Sequence, residues 1–445
     1  MGEEKISKLA FKLSIPMIIS MISMAIYNIV DTIFVSGIGE NALTAVSLSF
    51  PIQVIISAIG LGSGIGVNSL LAKMLGKKDI KTSKNIIFTE IISGIICFLL
   101  VILFINKYVL FNFFSFFTSN KEIINLGYNY LSVIVIFSFS TIFSNIFNKT
   151  LEAYGKARLS MIAQFVGIIT NIILDPILIY GINGYFNFGI RGAAFATVIG
   201  SLLAMIFSLI CIIKQKDIYK PKIKECFIDL KLYLNIYKVG LPSIILESVA
   251  PITTIILNNI LIRFSEDAVT LYGLYYKTQS FIFMIVSGLN YGMIPIVAFN
   301  YGADKKERVL EAIKLFSKLS FIVTSIGTII FALFARNILG VFSVNENILK
   351  LGEIAFRILC IGFIFAGQCF IISSVFQALG NGKESLIIFM TRKVIVPFLF
   401  IFLTIDVLGL NSIWISFTLA EIIAFIIAEV MYKNKKKKDL NINIS

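Results

Sequence analysis

The sequence predicts an all-α integral membrane protein, with twelve transmembrane helices in two six-helix lobes related by a pseudo-two-fold axis along the membrane normal. Three observations predict it. First, the 445 residues are 58% hydrophobic and 14% charged, with mean hydropathy +0.92. Apolar runs of about 20 residues or more recur from end to end, enough to cross roughly 30 Å of hydrocarbon. Helices of a soluble protein would carry a polar stripe that these runs lack. Second, 27 of the 39 lysines and arginines fall in alternate connections and only 6 in the others. Third, the chain repeats itself when it is slid so that Pro16 falls on Pro242.

The spans are read at 13–36, 43–72, 86–106, 123–146, 159–181 and 191–213, then at 236–262, 269–298, 309–335, 349–376, 385–406 and 411–432. The opening "MGEEKISKLAFKLS" lacks a signal-peptide cleavage pattern and leads directly into the first span. The third span carries Glu90 near its cytoplasmic end, where the side chain is expected to reach water. Residues 214–238, basic and less apolar, read as the linker between lobes, giving an N-terminal lobe 1–220 and a C-terminal lobe 221–445. In the tenth span Glu353 and Arg357 stand four apart and are expected to pair on one helix. Arg392 of the eleventh and Glu421 of the twelfth are expected to pair between helices. The tail "YKNKKKK" (432–438) suits an anionic lipid surface. The asymmetry of basic connections puts both termini in the cytoplasm of a multi-pass inner (plasma) membrane protein, and an even number of spans, which sets both termini on one side, agrees.

The net charge of +14 invites a nucleic-acid reading. Its placement in short connections argues against one. There is no histidine, and the cysteines (Cys97, Cys211, Cys226, Cys360, Cys369) are scattered, without the spacing of a zinc site or a disulfide framework. An enzyme would need a metal constellation or a nucleophile–base pair, and neither is present. "GNGKES" lacks the spacing of a nucleotide-binding loop, so any transport would have to be driven by an ion gradient or be passive.

In the register that lays Pro16 on Pro242, Gly62 meets Gly288, Gly66 meets Gly292, and Ala72 and Gly76 meet Ala298 and Gly302. In a register shorter by one position, "EAYGKARLS" (152–160) lies on "QALGNGKES" (377–385). Six spans per repeat is even, so the halves share one orientation, which places the symmetry axis along the membrane normal. Such a design favours a transporter with a central cleft over a channel.

Two carboxylates interrupt this apolar chain: Asp31 in "YNIVDTIF" and Asp175 in "NIILDPILIYG". A charge at a span centre costs about 2.5–3.5 kcal/mol on insertion scales. Intramembrane acids usually face a cavity, pair, or relay ions. Asp31 lies 15 residues after Pro16 and Asp175 lies 16 after Leu159, which puts both roughly 22–24 Å above the inner face at one level. Tyr27 and Asn28 precede Asp31 by four and three residues, and Asn171 precedes Asp175 by four, so each set stacks on one helix side. Pro176 removes the amide that the Ile172 carbonyl would otherwise accept. Thr197 enters from the sixth span at similar depth. Apart from Arg191, the first residue of the sixth, no lysine or arginine falls within the first six spans. Two acids without a counter-ion form a site for a small cation, H+ or Na+. A static hydrogen-bonded network is the alternative.

The second half does not duplicate the acid: Leu257 stands at the repeat position of Asp31. Glu247 and Lys277 fall at matching depths on neighbouring spans, which suits either an ion pair or a functional acid switch. Met17, Met21 and Met24 lie close to one face of the first span, as packing or as an adaptable binding wall.

These residues together resemble the multidrug and toxic compound extrusion (MATE) transporters over nearly the whole chain. The match is carried by "LSIPMI", "VDTIFVSGIGENALTAVSL", "EAYGKARLSM", "NIILDPILIYG", "RGAAFATVIG", "VGLPS", "NYGADKKERV" and "QALGNGKES". The resemblance implies secondary active efflux of cationic amphiphilic compounds in exchange for inward H+ or Na+, by alternating access between two lobes. In prokaryotic members the cation site uses an Asp of the first helix, an Asn-x3-Asp pair of the fifth and a Thr of the sixth. Those types stand at Asp31, Asn171, Asp175 and Thr197, with Tyr27 and Asn28 beside them; a bound Na+ would use the same four. Another branch uses a Glu of the seventh helix and an Asp of the tenth. Here Glu247 is in the seventh, but the tenth carries Glu353 and Arg357. The implied partners are small organic cations and membrane lipids, with no cofactor beyond the coupling ion and a monomer expected. A lipid-linked sugar flippase of the same superfamily is the rival, since Lys277, Arg357 and Arg392 could serve a pyrophosphate.

Overall fold

The computed structural model describes residues 1–181, 185, 187–214, 229–342 and 344–439, without the side chains of 436–439. Most of the basic linker, with Cys226, and the end of the lysine tail lie outside the described residues. The first half forms α1 (Ile6–Ser36), α2 (Glu40–Gly76), α3 (Ile80–Phe104), α4 (Lys107–Phe117), α5 (Lys121–Ile136), α6 (Ser138–Ala153), α7 (Ala157–Tyr180) and α8 (Ile190–Ile213). The second forms α9 (Leu230–Leu261), α10 (Glu266–Gly302), α11 (Lys306–Gly340), α12 (Glu346–Ala378), α13 (Gly382–Met390), a π-helical turn (Thr391–Ile395), α14 (Val396–Leu408) and α15 (Asn411–Asp439). Among the described residues, eleven helical segments, with α13 to α14 taken as one, are long and apolar enough to span a bilayer. The pair α5 and α6, bent by 50° around Phe137, completes twelve. The chain is therefore a polytopic helical membrane protein with the expected number of spans.

One helix departs from the expectation. Residues 107–117, read as a connection, form α4. Asn106 caps it, its side-chain oxygen accepting the Val109 amide at 3.2 Å. Phe114 is fully buried against α5, where a Cβ on Gly127 would fall 2.3 Å from its ring. At 11 residues α4 is too short to span.

The repeat holds in backbone detail. Among the described residues, the two non-glycine positions with positive φ are Lys78 (60°) and Asp304 (56°), which the repeat lays on each other. Each ends a long helix with matching bonds: the Asp79 amide donates to the Met74 carbonyl at 3.0 Å and the Lys305 amide to Asn300 at 2.9 Å. Gly155 (φ 72°) and Gly380 (φ 85°), matched in the shorter register, close α6 and α12 in a left-handed conformation that suits glycine. Beside them the Ser160 hydroxyl donates to Glu152 Oε1 at 3.2 Å, and Gln377 Nε2 donates to the Ser385 hydroxyl at 3.2 Å. The same contact is thus built from a charged residue in one half and an amide in the other.

The chain packs as two compact units, Met1–Ile18 with Val249–Ser445, and Ile19–Ser248. The first has an aromatic core in which Phe331 stacks on Phe356 at 5.2 Å and Trp414 is 1% exposed. Leu257 is buried in that core. Arg308 fixes the N-terminal residues in the same unit, its Nη2 donating to the carbonyls of Met1 (3.1 Å) and Glu4 (2.6 Å). Both expected ion pairs form there. Arg357 meets Glu353 at 2.7 Å, and Arg392 binds Glu421, which Lys393 of the same π-helical turn joins at 3.2 Å. The Arg392 guanidinium lies 4.3 Å from the Phe370 ring centroid.

Two first-half expectations are corrected. Glu90 does not reach water: it is 1% exposed. Lys149, read as part of a basic connection, lies inside α6, buried and bound to Glu152 at 2.8 Å. The helix runs on to Ala153, about two turns beyond the end read from hydropathy, and carries it inward.

Candidate functional site

Three helices of the Ile19–Ser248 unit, α1, α7 and α8, bring the predicted residues together. α7 and α8 pack closely because Gly167 and Gly200 face each other: a Cβ on Gly200 would fall 2.6 Å from the Gly167 carbonyl oxygen and 3.3 Å from the Asn171 Cβ. That approach sets Asn171 against α8, where its Nδ2 donates to Thr197 Oγ1 at 3.2 Å. The Thr197 hydroxyl spends its own proton on the Ala193 carbonyl at 3.1 Å. Tyr27 of α1 reaches the same Thr197 hydroxyl.

One turn along α7 from Asn171, Asp175 is fully buried, and its carboxyl meets that of Asp31 on α1. Pro176 follows directly and leaves the Ile172 carbonyl without its helical amide. The hydrogen-bond inventory here is lopsided. Both Asp175 oxygens, Asp31 Oδ1 and Asn171 Oδ1 are buried and receive no donor. Buried polar atoms are nearly always partnered, so four orphan acceptors in one place, among the described residues, form an arrangement that can accept protons or a small cation.

Two further residues complete the wall. Tyr130 of α5, 2% exposed, stands within electrostatic range of Asp31, Asp175 and Tyr27. Its hydroxyl points to Gln53 Oε1 of α2 at 3.4 Å. Neither was predicted. A tyrosine or glutamine in an apolar run is weaker evidence than an acid, because each can be satisfied by one partner anywhere around the helix.

The remaining predicted residues lie elsewhere. Asn28 is exposed, its carbonyl accepting the Thr32 hydroxyl at 2.7 Å. Glu247 belongs to the Ile19–Ser248 unit, in electrostatic range of Lys149. Lys277 belongs to the other unit, where it is exposed. At Leu257, the repeat position of Asp31, the second half has apolar core in place of a carboxylate.

Comparisons with known proteins agree with this architecture. The MatE family model matches the chain twice, over residues 16–177 and 242–403, so its two matches begin at Pro16 and Pro242, in the register of the internal repeat. The multidrug export protein MepA of Staphylococcus aureus is 27% identical over 412 residues, covering 92% of this chain and 89% of that protein. MepA of Staphylococcus saprophyticus is 26% identical over 417 residues, covering 93% and 91%. Among solved structures, a MATE transporter in complex with MaL6 superposes with a TM-score of 0.90 at 25% identity, over 99% of this chain and 98% of that one. A MOP-superfamily transporter from Pyrococcus furiosus, described as having a binding pocket of reverse polarity, gives 0.90 at 25% identity over 98% and 97%.

Proposed function

This chain belongs to the MatE family, and from that premise we propose that it is a secondary active multidrug efflux antiporter, exporting cationic amphiphilic compounds in exchange for inward H+ or Na+. The observation that carries the proposal is the set of four donorless oxygens on Asp31, Asp175 and Asn171. Multidrug export is the printed activity of the MepA relatives, and it sets the substrate class proposed here.

In the proposed cycle a coupling ion enters from outside and binds between Asp31 and Asp175, with the Asn171 and Thr197 oxygens completing the shell for Na+. Binding neutralises the carboxyls and changes how α1 packs on α7. Substrate then leaves outward. After alternating access the ion departs inward, and the restored negative charge favours a cationic substrate again. Antiport follows because one anionic site stabilises a small cation and an organic cation at each other's expense. In this proposal the chain lies in a cell membrane with both termini in the cytoplasm, a reading that the asymmetry of basic connections supports.

The test is export of a fluorescent organic cation in proteoliposomes under an imposed H+ or Na+ gradient. Asp31→Asn is expected to abolish gradient-driven export while expression and thermal stability stay near wild type. Undiminished driven export by that variant would reject the proposal. One observation favours a second reading, a lipid-linked sugar flippase: two basic residues, the buried Arg392 and the half-buried Lys393, bind the one acid Glu421. In that case neither gradient moves the dye, and a lipid-linked sugar probe is flipped.

A further inference from the structure

A second buried acid lies outside this site. Glu90 of α3 is 1% exposed, and both its carboxyl oxygens are buried without a hydrogen-bond partner. α3 and α7 both start from basic connections, and Glu90 lies ten residues into α3 while Asp175 lies 18 into α7. At 1.5 Å per residue, Glu90 stands roughly 12 Å nearer those connections.

Glu90, Ser93 and Cys97 are spaced by three and four residues and share one face of α3. Facing them is Tyr237 of α9. Its hydroxyl contacts Ser93 Oγ, Ser63 Oγ of α2 at 3.1 Å and Cys97 Sγ at 3.2 Å, and it lies in electrostatic range of the Glu90 carboxyl. α9 comes this close because Gly66 of α2 has no side chain: a Cβ there would fall 2.4 Å from the Ile236 carbonyl oxygen. The titratable groups facing Glu90 are Tyr237 and Tyr233 from α9 and Cys97 from α3 itself. α2 contributes the Ser63 hydroxyl, and α6 packs Phe143 and Ile146 against Gly94 of α3. Among the described residues no lysine or arginine acts on Glu90.

A lone buried carboxylate is costly unless something neutralises it. Among the described residues, the polar groups around Glu90 are the hydroxyls of Tyr237, Ser63 and Ser93 and the Cys97 thiol, with no fixed positive charge. We propose that Glu90, with Tyr237, Ser63 and Ser93, is a second small-cation site of this chain, taking up H+ or Na+ independently of Asp31 and Asp175. It rests on local geometry and does not depend on which compounds are exported.

Equilibrium binding to the purified full-length protein in detergent tests it. In Na+-free buffer, infrared difference spectra across pH read the protonated-carboxyl bands. Loss of one titrating band in Glu90→Gln, with that band retained in Asp31→Asn/Asp175→Asn, establishes a proton site. Under alkaline conditions, radioactive Na+ binding that falls by one ion per chain in Glu90→Gln establishes a Na+ site. Tyr237→Phe, which keeps the carboxyl, is expected to shift the band or weaken Na+ binding severalfold. Should Glu90→Gln be unstable, that variant carries the test. Wild-type behaviour of these variants in both measurements would overturn the proposal and make Glu90 a static packing group. The Asp31 and Asp175 signals are scored in the same spectra, so failure of one site is distinguishable from failure of the other.

Discussion

Asp79 shows how one connection residue acts on its helix. It caps α3: its Oδ1 accepts the Thr82 amide at 3.0 Å and its Oδ2 the Thr82 hydroxyl at 2.6 Å. Those hydrogen bonds favour the ionised carboxyl and hold it below its usual range. Its stabilising contribution is therefore complete above the unfolded-state value of about 3.9 and is lost as pH falls through the lower folded value. Asp79→Ala is expected to cost about 0.5–2 kcal/mol, read as a lower thermal midpoint near neutral pH that converges on wild type in strong acid. Lys149 makes a larger test. Removing it in Lys149→Met leaves Glu152 buried at 2% exposure without its ion-pair partner, an expected loss of about 3–5 kcal/mol. Adding Glu152→Gln should recover part of that loss, because the repeat already uses Gln377 at this position. Equal stability losses in the single and double variants would count against the ion-pair account.

Among the elements, α7 and α8 carry the most consequence, since their contact sets the spacing of Asn171 and Thr197. Gly200→Ala drives a Cβ toward backbone at 2.6 Å. The expected result is about 1–3 kcal/mol of overpacking strain together with weakened ion coupling, measured by thermal melts and driven dye export on one preparation. This scale also shows what could be read from the chain. The spans were legible because crossing a bilayer takes a long uninterrupted apolar run. Asp31, Asn171, Asp175 and Thr197 were legible because acids are costly in such runs and helical spacing ties their neighbours to one side. The short helix α4 was not, since so brief an apolar stretch carries no spanning signal. The bend at Phe137 has neither proline nor glycine to announce it. Tyr130, Gln53 and the burial of Glu90 were hidden for a different reason: which face of a membrane helix turns inward is decided by its neighbours, and an all-apolar helix has no amphipathic pattern to reveal it.

At the scale of the whole molecule, two halves share backbone turns to the residue but not their chemistry. The family match recurs in the register of the internal repeat, yet Leu257 replaces the acid and an aromatic core fills that unit. Leu257→Asp would place an unpartnered carboxyl in this core. The expectation is a loss of several kcal/mol, seen as poor yield and a lower melting temperature, with no second coupling ion gained in transport stoichiometry. The division of α1 has a consequence in time. Its first residues belong with a unit whose remainder begins at Val249, while the rest of the same helix belongs to the other. Ser14 lies against Gly292, a partner from the far half of the chain. At ordinary rates of synthesis, on the order of 5–20 residues per second, the stretch around Ser14 waits some tens of seconds for its partner to be made.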